Sequence, residues 1–193
     1  MDLGGPETLD DVESFLYNLL MDPALLDLPV GGHLRRWLCT ALASYRADTV
    51  RENYELIGGG SPLTRLTREQ AAELEAHLND RFGNPTGVDF RTYVSMRYWH
   101  PFSEETAARM EDDEVDRVVL LPLHPQYSKS TSGTSLAYWR ALDETDEIPS
   151  WPTTSISEYA ANPKYVQALS ERIDEGLQRF ARDRREGVQL LFS

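Results

Sequence analysis

Residues 117–140 read RVVLLPLHPQYSKSTSGTSLAYWR, and this stretch decides the fold class. Val118 to Leu123 is a short, continuous, partly β-branched apolar run, the pattern of a strand covered on both faces. Behind it come Tyr127, Ser128, Ser130, Thr131, Ser132, Thr134 and Ser135, with Gly133 among them, before a helix-compatible stretch over 136–143. The hydroxyls therefore sit between the carboxyl end of a strand and the amino end of a helix. Open α/β sheets bind ligands at that place, because free backbone N–H groups and the helix dipole point into the crevice.

Upstream, Thr8 to Asp11 resembles a capping box and opens a helix with Val12, Phe15, Leu16, Leu19 and Leu20 at helical spacing, stopping before Pro23. A second helix carries Leu34, Trp37, Leu38, Ala41, Leu42 and Tyr45 on one face, opposite Arg35 and Arg36. The connection between them, ALLDLPVGG over 24–32, reads equally as core packing or as an apolar lip over a pocket. Glycines 58–60 interrupt the next segment, and Thr67 to Gln70 forms a capping box leading a helix through Ala71, Leu74 and Leu78. Val88, Phe90, Thr92, Val94 and Met96 then alternate with Asp89, Arg91, Tyr93, Ser95 and Arg97, the period of a strand. Ser103 to Thr106 starts a short helix with Ala107 and Met110 inward.

Downstream of the opening stretch lie a short strand near 153–157, a long helix from about Asn162 to Arg184, and a last apolar run from Val188 to Phe192. Alternating strands and helices call for an α/β fold, a doubly wound parallel sheet flanked by helices on both faces. Both ends look truncated. Asp2 to Gly5 resembles the end of a strand turning into a helix, and Val188 to Phe192 a strand without its following loop.

Charge is the strongest compositional feature. The 193 residues hold 32 acids and 19 bases for a net charge of −13, and Lys129 and Lys164 are the only lysines. No basic footprint for nucleic acid exists. No apolar run nears the length of a transmembrane span, and no signal peptide is expected. The single cysteine, Cys39, excludes an internal disulfide and reads as a buried small hydrophobe, which fits a cytoplasmic location.

Gly58 to Pro62 permits close backbone approach to an anion, yet no Gly-Lys-Ser/Thr follows, so it is no P-loop and reads equally as a tight turn. His33, His77, His100 and His124 lack metal-ligand spacing. Arg46 and Arg97 lie near tyrosines, a setting in which an arginine pairs with a carboxylate in fixed geometry.

The segments MDLGGPETLDDVESFLYNLLMDPALLDLP, NYELIGGGSPL, MRYWHPFSEETAARM, VVLLPLHPQYSKSTSGTS and VQLLFS, in this order, resemble ferrochelatase, the enzyme family that inserts ferrous iron into protoporphyrin in haem synthesis. The resemblance implies a Rossmann-like, chelatase-type fold of two similar halves with the porphyrin between them. Residues 1–185 would form the first half and 186–193 the first strand of the second. It implies porphyrin contacts from Leu3, Arg46, Tyr54 and Ser61, with Arg97 in the active-site region. Tyr127, Ser128, Ser130 and Ser135 would line the cleft near the macrocycle's polar edge.

The types suit the ligand. A flat apolar ring with propionates calls for aromatic and aliphatic walls plus an arginine and hydroxyls at one end. Metal insertion needs a base for two pyrrole protons and a ring bent to expose its nitrogens. The family's histidine for this task belongs to a motif of the form FS-x-H-x-x-P. Here the chain stops at Phe192-Ser193, so no catalytic residue is expected within it and none of its residues is assigned to metal. No organic cofactor is implied, and Fe²⁺ is substrate. Lys129 stands where some relatives carry an iron–sulfur cysteine, so no cluster is expected. A histidine often found after the TSIS strand is replaced around Ala160 to Pro163, where Asn162 is no proton acceptor at neutral pH.

The expected partners are protoporphyrin IX or coproporphyrin and ferrous iron, without nucleic acid. Peripheral membrane contact through 24–30 is left open, and the 193-residue chain alone is expected to be inactive. The alternative is a non-catalytic module binding a porphyrin or another anionic small molecule. An unrelated nucleotide-binding fold is disfavoured by the absence of both G-x-G-x-x-G and Walker signatures.

The acid excess reads either as an ordinary solvated acidic surface or, more sharply, as adaptation to high salt, where surface carboxylates keep a protein dissolved. Molar salt should then raise the melting temperature in a thermal scan; a fall would contradict this reading.

Overall fold

The structure, a computed structural model, describes residues 1–83, 85 and 87–191. In chain order the elements are α1 (Val12–Met21), α2 (Gly32–Glu55) and α3 (Leu63–Leu78), the last continuing into a π-helical turn, Asn79–Gly83. Then come α4 (Ser103–Asp112), β1 (Val118–Leu120), a π-helical turn Lys129–Gly133 that runs into α5 (Thr134–Glu144), and β2 (Thr153–Ser155). The helix α6 (Pro163–Gln178) and a 3₁₀ turn, Arg182–Gly187, follow. The chain divides into two compact units, Met1–Ser157 and Glu158–Ser193.

In the first unit β1 pairs in parallel with β2, Val118 opposite Thr153 and Leu120 opposite Ser155. The strand is shorter than its apolar run, because Pro122 has no N–H to extend a ladder. Its faces also differ from expectation. Val118 and Leu120 are buried, whereas Val119 is 64% exposed, so one face is covered rather than both. The covered face meets Ala107 and Met110 of α4, Leu136, Trp139 and Leu142 of α5, and Ile148, which form the main core. Full burial of side chains this size stabilises by about 1.5–3 kcal/mol each. Beside this pair, single hydrogen bonds continue the layer: Leu123 N to Met1 O at 2.9 Å, Asp2 N to Ser95 O at 3.1 Å, Arg97 N to Asp2 O at 2.9 Å and Tyr98 N to Leu3 O at 2.8 Å.

The alternating segment 88–97 is not a regular strand; it carries two isolated parallel bridges, Met96 to Asp2 and Met96 to Phe102. The reason lies in α3 and the π-helical turn after it. Their side chains take the backbone groups a neighbouring strand would use: Phe90 N donates to Asn79 Oδ1 at 2.9 Å and Thr92 N to Glu75 Oε2 at 2.6 Å. The helix α3 itself starts at Leu63, a turn before the expected Thr67, and Thr64 and Thr67 are buried within it. Pro62 is the N-cap and has no capping side chain; Ser61 Oγ, one residue earlier, accepts from Leu63 N at 3.2 Å.

The inward face of α2 is the reverse of its apolar stripe. Arg35, Cys39, Ala43 and Ala47, four residues apart, are buried, and Ala43 packs with Val12 and Leu16 of α1. Small side chains in an i, i+4 row allow close axial approach, so the larger Trp37 and Tyr45 turn outward at 65% and 84% exposure. Arg35, expected on the outer face, donates to Met21 O at 3.3 Å and Leu26 O at 2.6 Å, while Cys39 Sγ donates to Leu20 O at 3.3 Å. A buried cation thereby satisfies the carbonyls at the end of α1, where the helix dipole favours it.

In the second unit Asn162 caps α6, accepting from Lys164 N at 3.0 Å, with Pro163 at the first helical position. The helix stops at Gln178, short of the expected Arg184. Residues 188–191 form no strand, and the remainder of the expected terminal strand, Phe192 and Ser193, lies outside the described residues.

Gly60 is locked against the loop after Leu3: a Cβ there would fall 2.1 Å from Glu7 O and 2.7 Å from its carbonyl carbon. Replacing Gly60 by Ala should lower unfolding free energy by about 1–3 kcal/mol or more, read by urea denaturation. Gly176→Ala on α6, where nothing lies within 4 Å of the new methyl, should be neutral or stabilising by about 0.5–1 kcal/mol.

Candidate functional site

An aspartate that follows α1 organises the most polar corner of the first unit. Asp22 is buried, and its Oδ2 accepts from Thr134 Oγ1 at 2.7 Å, Arg97 Nη2 at 2.8 Å and Tyr98 Oη at 2.9 Å. Its Oδ1 accepts from Ala24 N at 2.8 Å. Burial alone would raise the carboxyl's pKa, but the hydrogen bonds from Thr134, Ala24 and Tyr98, with the Arg97 charge, outweigh it and hold the group below the usual carboxylate value.

Arg97 is correspondingly immobilised. Its Nε donates to Thr134 Oγ1 at 3.3 Å. The guanidinium carbon lies 4.0 Å from the ring centre of Tyr138 and 5.0 Å from that of Tyr98, in cation–π geometry. Only 17% of its side chain is exposed. Tyr138 Oη donates in turn to Glu104 Oε1. Burial, reinforced by the acceptor Glu104, pushes the Tyr138 hydroxyl up to about 12. Burial, reinforced by Asp22, does the same for Tyr98, also to about 12. Both phenols stay neutral donors at ordinary pH.

This network forms one wall of a cleft of about 420 Å³ lined by Asp22, Pro23, Ala24, Arg97, Tyr127, Lys129, Gly133, Thr134, Ala137 and Tyr138. Pro23, Ala24 and Ala137 are its aliphatic surface. Tyr127 stands at the mouth, packed over Gly133, where a Cβ would come within 2.9 Å of the Tyr127 hydroxyl. The connection after α1 thus serves in part as a lip.

The serine- and threonine-rich segment divides its labour. Ser128 Oγ caps the turn by accepting from Ser130 N at 3.3 Å and lies 3.0 Å from Ser130 Oγ. Ser132, Thr134 and Ser135 are buried. Of the hydroxyl residues, Tyr127 and Thr134 reach the cleft lining.

Tyr54 and Ser61 meet elsewhere, beside Gly5, while Leu3 O accepts from Tyr98 N at 2.8 Å. Ser61 N donates to Pro6 O at 2.7 Å, and a Cβ on Gly5 would lie 2.6 Å from Ser61 Oγ and 3.8 Å from Tyr54 Oη. Burial raises the Tyr54 pKa. Arg46 is exposed on α2 and is not part of the cleft lining. Among the described residues no three His, Cys, Asp or Glu side chains converge as a metal-ion site.

Asp22, Tyr138 and Glu104 carry the network and escaped the sequence reading. One signal for Asp22 was available: an acid at the carboxyl end of a helix opposes the dipole and calls for donors of its own.

The ferrochelatase family model matches residues 1–193. The ferrochelatase of Synechococcus sp. (strain JA-2-3B'a(2-13)) is 45% identical over 194 residues, covering 100% of this chain and 54% of that protein. The ferrochelatase of Gloeobacter violaceus is 41% identical, with 100% and 57% covered. That of Cyanothece sp. (strain PCC 7425) is 42% identical, with 100% and 48% covered. The chain spans about half the length of the curated relatives it matches.

Because the folded pKa of Asp22 lies below its ordinary value of 3.8, the pair's contribution to stability is present above that pH and is lost as pH falls through the folded value. Asp22→Asn should cost about 2–4 kcal/mol near pH 7 and flatten the acid limb of the stability profile below pH 3.8. An unchanged acid limb would show that the carboxylate is not the group titrating there.

Proposed function

Because the chain belongs to the ferrochelatase family, whose enzymes insert ferrous iron into porphyrin in haem biosynthesis, we propose that its cleft holds one edge of protoporphyrin IX or coproporphyrin. Ferrous iron is the second substrate. The observation that carries this reading is the cleft itself, at the junction of the segment after β1 with the start of α5, walled by tyrosine rings and aliphatic carbons and closed at one end by a fixed guanidinium. A planar apolar ligand with polar edge groups is the chemistry such walls suit.

The lateral order of extended segments supports a doubly wound sheet. Hydrogen bonds place 95–98 beside 2–3, Met1 beside Leu123, and β1 beside β2. That order reverses direction between the first and third segments, the switch point at which such sheets bind ligands. The loop with Leu3, Tyr54 and Ser61 would then face Tyr127, Ser128, Ser130 and Ser135 across the same crevice, with Arg46 at its outer rim.

Removing two pyrrole protons needs a base. Asp22 already accepts four hydrogen bonds, and among the described residues no histidine lines the cleft. The proposal is therefore that these 193 residues bind porphyrin without turnover. Among the described residues no helix is long and apolar enough to cross a membrane; a cytoplasmic location is part of the same proposal, supported by the single cysteine.

Titration with protoporphyrin IX, following the Soret band, should show saturable binding that weakens about fivefold in Tyr127→Ala, the scale of one aromatic contact. Iron insertion should stay at the uncatalysed rate. Absence of saturable binding, or insertion above background, would contradict the reading.

A further inference from the structure

The cleft has two cations in its lining, Arg97 and Lys129, and their situations are opposite. Arg97 is neutralised by Asp22 at 2.8 Å, tied to Thr134, and in cation–π contact with the rings of Tyr98 and Tyr138. An incoming carboxylate would have to displace Asp22 from an arrangement that also satisfies Tyr98 and Thr134. Truncating or displacing one partner of such a pair leaves the other uncompensated, which is strongly unfavourable.

Lys129 is exposed, and among the described residues its ammonium makes no ion pair or hydrogen bond. With Asp22 and Arg97 cancelling, it supplies the net charge of a cleft lining that is positive inside a protein of net charge −13. It also stands at the first position of the helical run 129–144, where the dipole disfavours a cation that has no anion beside it.

We infer that Lys129, rather than Arg97, is the residue of the cleft that recognises a carboxylate of the ligand. On the porphyrin reading, from which this assignment follows, the carboxylate is a propionate at the macrocycle edge nearest Tyr127, and Arg97 stiffens the wall without touching it. A flexible four-carbon stem carrying a point charge suits a propionate whose position varies with ring tilt, whereas a fixed guanidinium would demand one geometry. Affinity is then salt-dependent, since the pair forms at an exposed mouth.

The test titrates the wild-type chain, Lys129→Met and Lys129→Arg with protoporphyrin IX and with its dimethyl ester, in the same detergent and at low salt. Lys129→Met should weaken binding of the free acid about tenfold, the worth of one charged hydrogen bond. It should change ester binding by less than about twofold, and Lys129→Arg should restore affinity for the acid. Equal affinity of wild type and Lys129→Met for the acid would overturn the assignment while leaving porphyrin binding intact. Equal weakening for acid and ester would overturn it too, by showing a packing role. If the wild-type chain binds neither compound saturably, the porphyrin reading itself falls and the assignment with it.

Discussion

The buried carboxylate of Asp22 is the constraint on which the candidate site depends. An ionised carboxylate out of water is costly unless donors surround it, and here four do: Ala24 N, Arg97, Tyr98 and Thr134. Those donors come from the loop after α1, the extended segment beside Asp2, and the first turn of α5. Satisfying one charge therefore fixes three otherwise separate pieces of chain against one another. The apolar core around β1 holds α4 and α5 in place, but the shape of the cleft is set by this polar junction. Polar junctions of this kind specify a single arrangement because each partial alternative leaves a charge unpaired.

The cation–π contacts of Arg97 with Tyr98 and Tyr138 extend the same logic outward. Tyr138 is held by Glu104 on α4, so the wall facing the cleft is braced from behind by the helix that also fills the core through Ala107 and Met110. The proposed division between shape recognition and charge recognition rests on this wall of rings and aliphatic carbons and on the one exposed lysine among the lining residues. Such a division would suit the proposed ligand, a flat macrocycle bearing carboxylates at one edge.

Much of this was legible in residue order, and the exceptions share a cause. The apolar run at Val118 and the hydroxyl cluster that follows it located the strand, the helix start and the cleft, because burial and capping act locally there. The inward face of α2 was misread since apolar periodicity ranks side chains by size, while close packing against α1 selects Cys39, Ala43 and Ala47 for being small. The segment 88–97 has a strand's alternation but pairs as a strand only at its end, where 95–97 lie beside Asp2, because Asn79 and Glu75 take the backbone N–H groups of Phe90 and Thr92. Asp22 was legible only as an acid at the carboxyl end of a helix; its side-chain donors lie 75, 76 and 112 residues away in sequence, and no local pattern encodes such a meeting.

The interaction between Asp22 and Arg97 can be isolated by a double-mutant cycle in urea denaturation, with Asp22→Asn, Arg97→Gln and the combined variant. A junction that organises the site predicts strong non-additivity, a coupling of about 2 kcal/mol or more, with the double variant little worse than either single one. Additive effects, within about 0.5 kcal/mol, would mean that the two residues stabilise the fold independently and that the cleft does not depend on their pairing.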